Sequence, residues 1–141
     1  MSLSRRAFLA SAALAPAAAQ PKPLNVILMY ADDLGYGDLG CYGSSLSTPH
    51  LDRAAREGVR FTHCLSANPV CSPSRAALLT GRYPTRVGVP NVLFPRDNSG
   101  LAEGEQTLAQ LLKAKGYKTM CVGKWHLGHL APHLPTYKGF D

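Results

Sequence analysis

The sequence of 141 residues lacks the features of several protein classes. No apolar run reaches the roughly 20 residues that a membrane-spanning helix needs. Charged residues make up only 17% of the chain, and its 15 Lys and Arg are scattered. Because there is no basic block and no aromatic–basic interleaving, nucleic-acid binding is not indicated. No repeat, low-complexity tract or interdomain linker follows residue 23, which predicts a single globular domain.

Cysteine is also scarce, with four in the chain. Their spacing matches no metal-binding cysteine motif. Cys64 and Cys121 lie in or at the ends of apolar segments and are expected to be buried thiols. No disulfide pairing among Cys41, Cys64 and Cys121 can be deduced from the sequence.

The first 19 residues have the pattern of an export signal. Ser4–Leu9 has the twin-arginine form, an Ala/Leu-rich stretch follows, and Ala17–Ala19 supplies small residues for a signal peptidase. We therefore expect residues 1–19 to be a signal peptide that the twin-arginine export machinery recognises. The mature protein would start near Gln20 and would have no stable membrane anchor. It would be located in the bacterial periplasm or be secreted. A disordered Ala-rich tail or a membrane anchor is the alternative.

The rest of the chain alternates between strand-like and helix-like segments. Short apolar runs typical of buried strands are Leu24–Tyr30, Val59–Leu65 and Tyr117–Val122. Segments with helix start and stop signals are Thr48–Gly58, Ser72–Thr80 and Thr107–Lys115. This alternation predicts an α/β fold with a mostly parallel central sheet flanked by helices. Residues 88–104 form the longest irregular stretch, which is typical of a binding loop.

Polar side chains follow each of the three predicted strands. Asp32 and Asp33 follow the first, Cys71 follows the second after a short loop, and Lys124 and His126 follow the third. Open α/β sheets bind ligands beyond the carboxyl ends of their strands. We therefore expect these five side chains to lie at one rim of the sheet.

The pair Asp32-Asp33 lies on a Gly-rich loop and suits a divalent cation. Adjacent carboxylates repel each other unless a positive charge lies between them. Calcium takes 6–8 oxygen ligands, so two carboxylates would be only part of a site. A solvated acidic turn is the alternative for this pair.

The most specific pattern is the run CSPSRAALLTGR over residues 71–82. It resembles the signature of the formylglycine-dependent (type I) sulfatases, whose core is Cys-x-Pro-x-Arg followed by Leu-Thr-Gly-Arg. A Cys-based tyrosine phosphatase is excluded, because its Cys-x5-Arg loop would need Arg where Ala77 stands. The remaining alternative is a structural cysteine at the start of a helix.

Other segments resemble arylsulfatases in the same order along the chain. They are ADDLGYGD at 31–38, TPHLDR at 48–53, GKWHLG at 123–128 and GFD at 139–141. Residues 88–89 and 92–95 are similar to the arylsulfatase A subgroup. The resemblance covers Leu24 to Asp141 and implies an alkaline-phosphatase-like sulfatase fold, of which this chain is the N-terminal part.

The resemblance also implies a modified residue and a metal site. A formylglycine-generating enzyme would convert Cys71 into formylglycine. Asp32, Asp33 and the modified Cys71 would be ligands of one Ca²⁺ ion. Arg75 would anchor the formylglycine and the metal site.

The remaining implied roles concern the substrate, an aryl or carbohydrate sulfate ester. Lys124 would hold a sulfate oxygen and His126 would bond the formylglycine hydroxyl. Ordinary polar loop residues at the surface are the alternative for these two. One hydroxyl of the aldehyde hydrate would attack sulfur while the alcohol departs on the opposite side, with a positioned acid protonating the leaving oxygen. The second hydroxyl would then expel sulfate as the aldehyde re-forms. The other histidines are expected to be surface or packing residues, namely His50, His63, His129 and His133.

Family members are much longer than this chain, so residues 20–141 are expected to be an incomplete N-terminal portion of the catalytic domain. The other metal ligands, an Asp-Asn pair, and a second His and Lys would come later. Sulfate-ester hydrolysis is therefore expected only in the full-length parent. Two alternatives stay open: a phosphonate monoester or phosphodiester hydrolase with the same formylglycine and metal, and an inactive truncated remnant.

Overall fold

The computed structural model describes residues 23–141. The chain divides into two compact units, Met1–Ala31 and Asp32–Asp141. The described part of the first unit, residues 23–31, has no regular secondary structure and its side chains are exposed. The predicted signal peptide, residues 1–19, lies outside the described residues.

The second unit is built from short helices joined by irregular segments. Its α-helices are α1 (Pro49–Glu57), α2 (Cys71–Thr80) and α3 (Leu108–Ala114). Its 3-10 helices are Tyr36–Asp38, Gly40–Tyr42, Pro84–Arg86 and Pro135–Lys138. The three predicted helices are confirmed, except that α2 begins at Cys71 itself rather than after it. Pro49 opens α1 and Gly81 ends α2 in a left-handed conformation, as the sequence signals indicate.

The predicted strands are not present in residues 23–141. The three apolar segments run without strand pairing. Residues 24–30 and 59–65 are exposed throughout, with Ile27 at 86% and Leu65 at 88%. In 117–122 Val122 is 86% exposed, while Thr119 is buried and Cys121 is half-buried. A strand exists only when its backbone groups bond to a neighbouring strand, and apolarity alone does not supply that neighbour. The expectation of a buried Cys64 thiol is wrong for the same reason, since Cys64 is exposed.

The core lies beneath α2 and consists of apolar side chains from segments far apart in sequence. Its buried members are Ala76, Val87, Val89, Leu101 and Leu127, with Leu79, Leu93 and Trp125 packed against them. Val89 and Leu101 belong to the irregular segment 88–104, so part of the predicted binding loop is core. This packing joins α2 to the segment that carries Lys124 and His126.

Side-chain hydrogen bonds fix the C-terminal part of the second unit. Thr107 caps α3 by accepting from the Gln110 amide at 3.2 Å, and its hydroxyl donates to the Lys138 carbonyl at 2.6 Å. The Asp141 carboxylate accepts from the Thr119 amide at 2.8 Å. Within residues 23–141, the helices are all too short or too polar to cross a membrane.

Candidate active site

The N-terminus of α2 presents Cys71 at its first position. The preceding residue, Val70, is extended and its side chain cannot cap the helix. The first amides of α2 are therefore free of a side-chain cap, and Pro73 has no amide to satisfy. Cys71 is half-buried and is followed by fully enclosed residues. Unpaired amides and the positive end of the helix dipole make this position attractive to an anion.

Arg75 lies one turn further along α2 and joins two other predicted site residues. Its Nη1 donates to the Lys124 carbonyl oxygen at 2.7 Å, and its Nη2 donates to Asp32 Oδ1 at 3.2 Å. Arg75 is only 9% exposed. The donors of a planar guanidinium lie on separate nitrogens in a rigid fork, so Arg75 can hold two acceptors at fixed, well-separated positions.

Lys124 completes this ion-pair network. Its Nζ donates to Asp32 Oδ2 at 2.5 Å. The hydrogen bonds from Lys124 and Arg75 hold the pKa of Asp32 below its ordinary value. The bond to Asp32 raises the pKa of Lys124 against the opposing effect of desolvation, and the nearby Cys71 sulfur adds to the rise. A carboxylate and two cations therefore stay charged beside the N-terminus of α2 at neutral pH.

His126 has an uncommon backbone conformation in the loop 123–128. Its φ is 57°, in the left-handed region that non-glycine residues rarely occupy. Its ring Nε2 lies 2.7 Å from the Leu93 carbonyl oxygen, and the Leu93 amide donates to Ser72 Oγ at 3.1 Å. The other ring nitrogen, Nδ1, is buried and has no hydrogen-bond partner among the described residues.

Neighbouring contacts hold this loop in place. The Leu101 amide donates to the Leu127 carbonyl at 2.9 Å, and Trp125 Nε1 donates to the His133 carbonyl at 2.9 Å. The His133 ring donates from Nδ1 to the Leu101 carbonyl at 3.0 Å. At Gly128, with φ 114°, a Cβ would overlap the side chain of His133. Glycine is thus required there by both backbone conformation and space.

The structure brings most of the predicted site residues to one place. Direct bonds or electrostatic contact join Asp32, Cys71, Arg75 and Lys124. His126 is joined to α2 through Leu93. Asp33 is exposed with φ 55°. Within residues 23–141 no group of three or more His, Cys, Asp or Glu side chains is placed to hold a metal. The ligand set of Asp32, Asp33 and Cys71 stays a prediction.

Comparison with known proteins decides the family. The family model described as Sulfatase matches residues 24–141, which is most of the chain. The chain belongs to the sulfatase family. Mouse steryl-sulfatase is 53% identical over 140 residues, covering 90% of this chain and 22% of the relative. Human arylsulfatase A is 52% identical over 133 residues, covering 91% of this chain and 26% of the relative.

Solved structures agree with this assignment. Ps i-CgsB superposes with a TM-score of 0.75 at 43% identity, covering 78% of this sulfatase chain and 25% of that one. A Bacteroides thetaiotaomicron protein was solved in work on the metabolism of multiple glycosaminoglycans. It has a TM-score of 0.72 at 41% identity, covering 79% of this chain and 26% of that one. The chain spans about a quarter of the length of the curated relatives that it matches.

Two residues that connect the site, Ser72 and Leu93, were not predicted from the sequence. Ser72 occupies a variable position of the signature, so the motif gives it no role. Leu93 acts through its backbone amide and carbonyl, groups that do not depend on residue type. His133 was expected to be a surface or packing residue, and it packs against Gly100 and Gly128 while bonding to Leu101. The one available signal for it was the glycine at each of the two contacted positions.

Proposed function

We propose that this chain forms part of a sulfatase that hydrolyses sulfate monoesters, with Cys71 converted to formylglycine as its nucleophile. The observation that carries the proposal is the convergence of Arg75 and Lys124 on Asp32 beside the uncapped start of α2. This arrangement lies within a chain that matches the sulfatase family from residue 24 to 141.

The charges of the site suit a tetrahedral anion. The Lys124 ammonium lies between Asp32 and Cys71 and is 41% exposed, so it can reach an oxygen of a bound sulfate group. Arg75 is buried and holds both Asp32 and the Lys124 backbone, so its role is to fix the network. One hydroxyl of the formylglycine hydrate would attack sulfur while the ester S–O bond breaks and the alcohol leaves on the opposite side, its oxygen taking up a proton. Deprotonation of the second hydroxyl would then re-form the aldehyde and release sulfate. Fixed positive charge at the transferred group is commonly the largest contribution in such displacements.

A divalent cation fits this site only in part. Asp32 and Asp33 offer the carboxylate oxygens that calcium prefers, and the pKa of Asp32 is lowered by its hydrogen bonds to Lys124 and Arg75, which keeps it ionised. Both Asp32 oxygens, however, already accept hydrogen bonds from cationic side chains, and two carboxylates fall short of 6–8 ligands. Asp32, Asp33 and the modified residue 71 would hold one side of the ion, with other ligands from elsewhere in the complete protein. The ion would stabilise negative charge on sulfate oxygens.

Two further parts of the proposal concern the complete protein. The apolar segments 24–30, 59–65 and 117–122 would be strands of a mostly parallel central sheet, in residues 20–141 of a larger catalytic domain. The twin-arginine pattern in residues 1–19 supports export to the periplasm or beyond. The required partners would then be the twin-arginine machinery and a formylglycine-generating enzyme.

The substrate class follows only from relatives. The name of human N-acetylgalactosamine-6-sulfatase, 49% identical, specifies a sulfated sugar, and that of mouse steryl-sulfatase specifies a sterol sulfate. Ps i-CgsB has been solved in complex with k-i-k-neocarrahexaose. We propose a sulfate monoester on an aryl, sterol or sugar alcohol.

The test is to obtain the complete gene, co-express it with a formylglycine-generating enzyme and analyse the product. Mass spectrometry of the peptide containing residue 71 should show the aldehyde in place of the thiol. Turnover of an aryl sulfate should exceed that of a matched aryl phosphonate ester, and Cys71→Ala should abolish both. If residue 71 keeps its thiol, the proposed nucleophile is wrong. If the aryl phosphonate ester is hydrolysed faster than the aryl sulfate, the proposed substrate class is wrong.

Metal dependence separates an active sulfatase from a remnant. Calcium should raise the melting temperature of the complete protein, because a ligand that binds only the folded state stabilises it. Asp33→Asn should weaken this rise, and Asp38→Asn on the same loop is the control. If calcium does not change the melting temperature of the complete wild-type protein, the proposed metal site is contradicted.

A further inference from the structure

A chain of two hydrogen bonds connects His126 to the residue beside Cys71. The His126 ring meets the Leu93 carbonyl through Nε2 at 2.7 Å, and the Leu93 amide donates to Ser72 Oγ at 3.1 Å. Ser72 is fully buried in the first turn of α2. The backbone of Leu93 is thus held at its amide by Ser72 of α2 and at its carbonyl, in the next peptide group, by the imidazole.

The Leu93 carbonyl determines which ring nitrogen carries hydrogen. A carbonyl oxygen can only accept a hydrogen bond, so Nε2 must be the donor. In the neutral ring the lone pair then lies on Nδ1. That atom is buried and has no hydrogen-bond partner among the described residues, which is uncommon for a buried polar atom and calls for a partner from outside them.

We propose that Ser72 is a positioning residue that fixes the backbone of Leu93, so that the Leu93 carbonyl holds His126 in the Nε2–H tautomer and leaves the Nδ1 lone pair to accept a proton from a hydroxyl in the active site. The left-handed backbone of His126, with φ 57°, supports this assignment, because such conformations concentrate at functional sites. The assignment of that hydroxyl to modified residue 71 rests on the proposed function. The assignment of the Nε2–H tautomer does not rest on the proposed function.

Ser74 offers a matched control for Ser72. Both serines lie in the first turns of α2 and both are buried, at 8% exposure for Ser74 and 0% for Ser72. The Ser74 hydroxyl donates to the Cys71 carbonyl at 3.0 Å, within the helix. Ser74→Ala therefore makes the same chemical change in the same helix without removing the bond to Leu93.

The experiment measures the tautomer by long-range ¹H–¹⁵N correlation NMR on the full 141-residue chain, with His126→Gln to assign the signals. In the wild type, Nε2 should resonate as a protonated nitrogen and Nδ1 as an unprotonated one. Ser72→Ala should change the ratio of tautomers roughly 3- to 10-fold, the amount expected from one hydrogen bond, and Ser74→Ala should not. A wild-type ring protonated at Nδ1 overturns the proposal. An unchanged ratio in Ser72→Ala overturns the role of Ser72.

Turnover adds a second, separate measurement in the complete protein. Ser72→Ala should lower kcat about 3- to 10-fold at unchanged KM, because His126 would accept the proton after the substrate has bound. If the wild-type protein hydrolyses no sulfate ester, the proposed function fails while the tautomer result stands. If it does hydrolyse one and Ser72→Ala keeps the full kcat, the positioning role in catalysis is wrong.

Discussion

At the residue scale, Arg75 is the side chain on which the site depends most. It is almost fully enclosed, and its guanidinium bonds to a carboxylate from one loop and to a backbone carbonyl from another. Asp32 and Lys124 are much more exposed, at 41% each for their side chains. The network is therefore anchored from inside α2 and only its outer members can meet a substrate.

Replacing Arg75 with lysine tests this anchoring. The two bonds of Arg75 use two separate nitrogens, and the single nitrogen of lysine does not reproduce that spacing, so Arg75→Lys should lower the free energy of unfolding by about 1.5–3 kcal/mol. Arg82→Lys is the control, because Arg82 pairs with Glu105 while 52% exposed and should cost less than about 1 kcal/mol. Urea denaturation measures both values, and equal losses would contradict the proposed difference.

At the scale of elements, short helices are held by contacts that the local sequence does not specify. The side chain of Thr107 caps α3, and its hydroxyl also donates to the carbonyl of Lys138 at the end of the last 3-10 helix. Asp141 links the same end of the chain to Thr119 and to Lys113 of α3. A single residue at each junction thus joins two elements.

The cap of α3 can be removed by one substitution. Thr107→Ala removes the bond to the Gln110 amide and leaves the Lys138 carbonyl without its donor, so it should destabilise the chain by about 1–3 kcal/mol. Thr85→Ala, at an exposed position of the 3-10 helix Pro84–Arg86, should change stability by less than about 0.5 kcal/mol. Thermal unfolding followed by circular dichroism distinguishes the two. A Thr107→Ala variant as stable as the wild type would show that the cap contributes nothing.

Acid should weaken the link made by Asp141. Its hydrogen bond to Lys113, aided by the Thr119 amide, lowers the pKa of its carboxyl from 3.8 to about 2. Because the folded-state pKa is lowered, the link contributes fully above the unfolded pKa near 3.8 and is lost as the pH falls through about 2. Melting temperatures measured from pH 5 to 2 should fall less steeply in Asp141→Asn than in the wild type. Parallel curves for the two proteins would rule out this contribution.

At the scale of the whole molecule, apolar side chains are distributed unevenly. A small buried core joins α2 to the Lys124–His126 loop, while Met120 and Val122 are 79% and 86% exposed. Monomeric proteins rarely leave long apolar segments in water. This distribution is consistent with the proposal that residues 117–122 form a strand covered by other parts of a complete sulfatase.

One substitution measured in two proteins tests that proposal. Val122→Lys should change the stability of the 141-residue chain by less than about 0.5 kcal/mol, since the side chain is exposed. In the complete protein the same change should cost about 2 kcal/mol or more, because a sheet would bury the residue. Leu101→Ala, in the core, should cost about 2–5 kcal/mol in both. A complete protein that tolerates Val122→Lys would contradict the buried strand.

The sequence by itself determined the helices, the family and most of the candidate site. Caps, prolines and glycines are local signals, so α1, α2 and α3 could be placed within a residue or two. The signature at 71–82 and the segment 123–128 identified Cys71, Arg75, Lys124 and His126 without knowledge of any contact. The apolar pattern could not decide the strands, because strand pairing depends on a neighbour that residue type does not reveal.

Only the tertiary structure decided how these residues are connected. Arg75 could have faced several acceptors, and the choice of Asp32 Oδ1 and the Lys124 carbonyl depends on how α2 packs against two distant loops. The contact of His126 with Leu93 joins residues 33 positions apart through a carbonyl oxygen, a group that every residue has. Long-range backbone contacts follow from chain packing rather than from side-chain identity, and for that reason the sequence could not specify them.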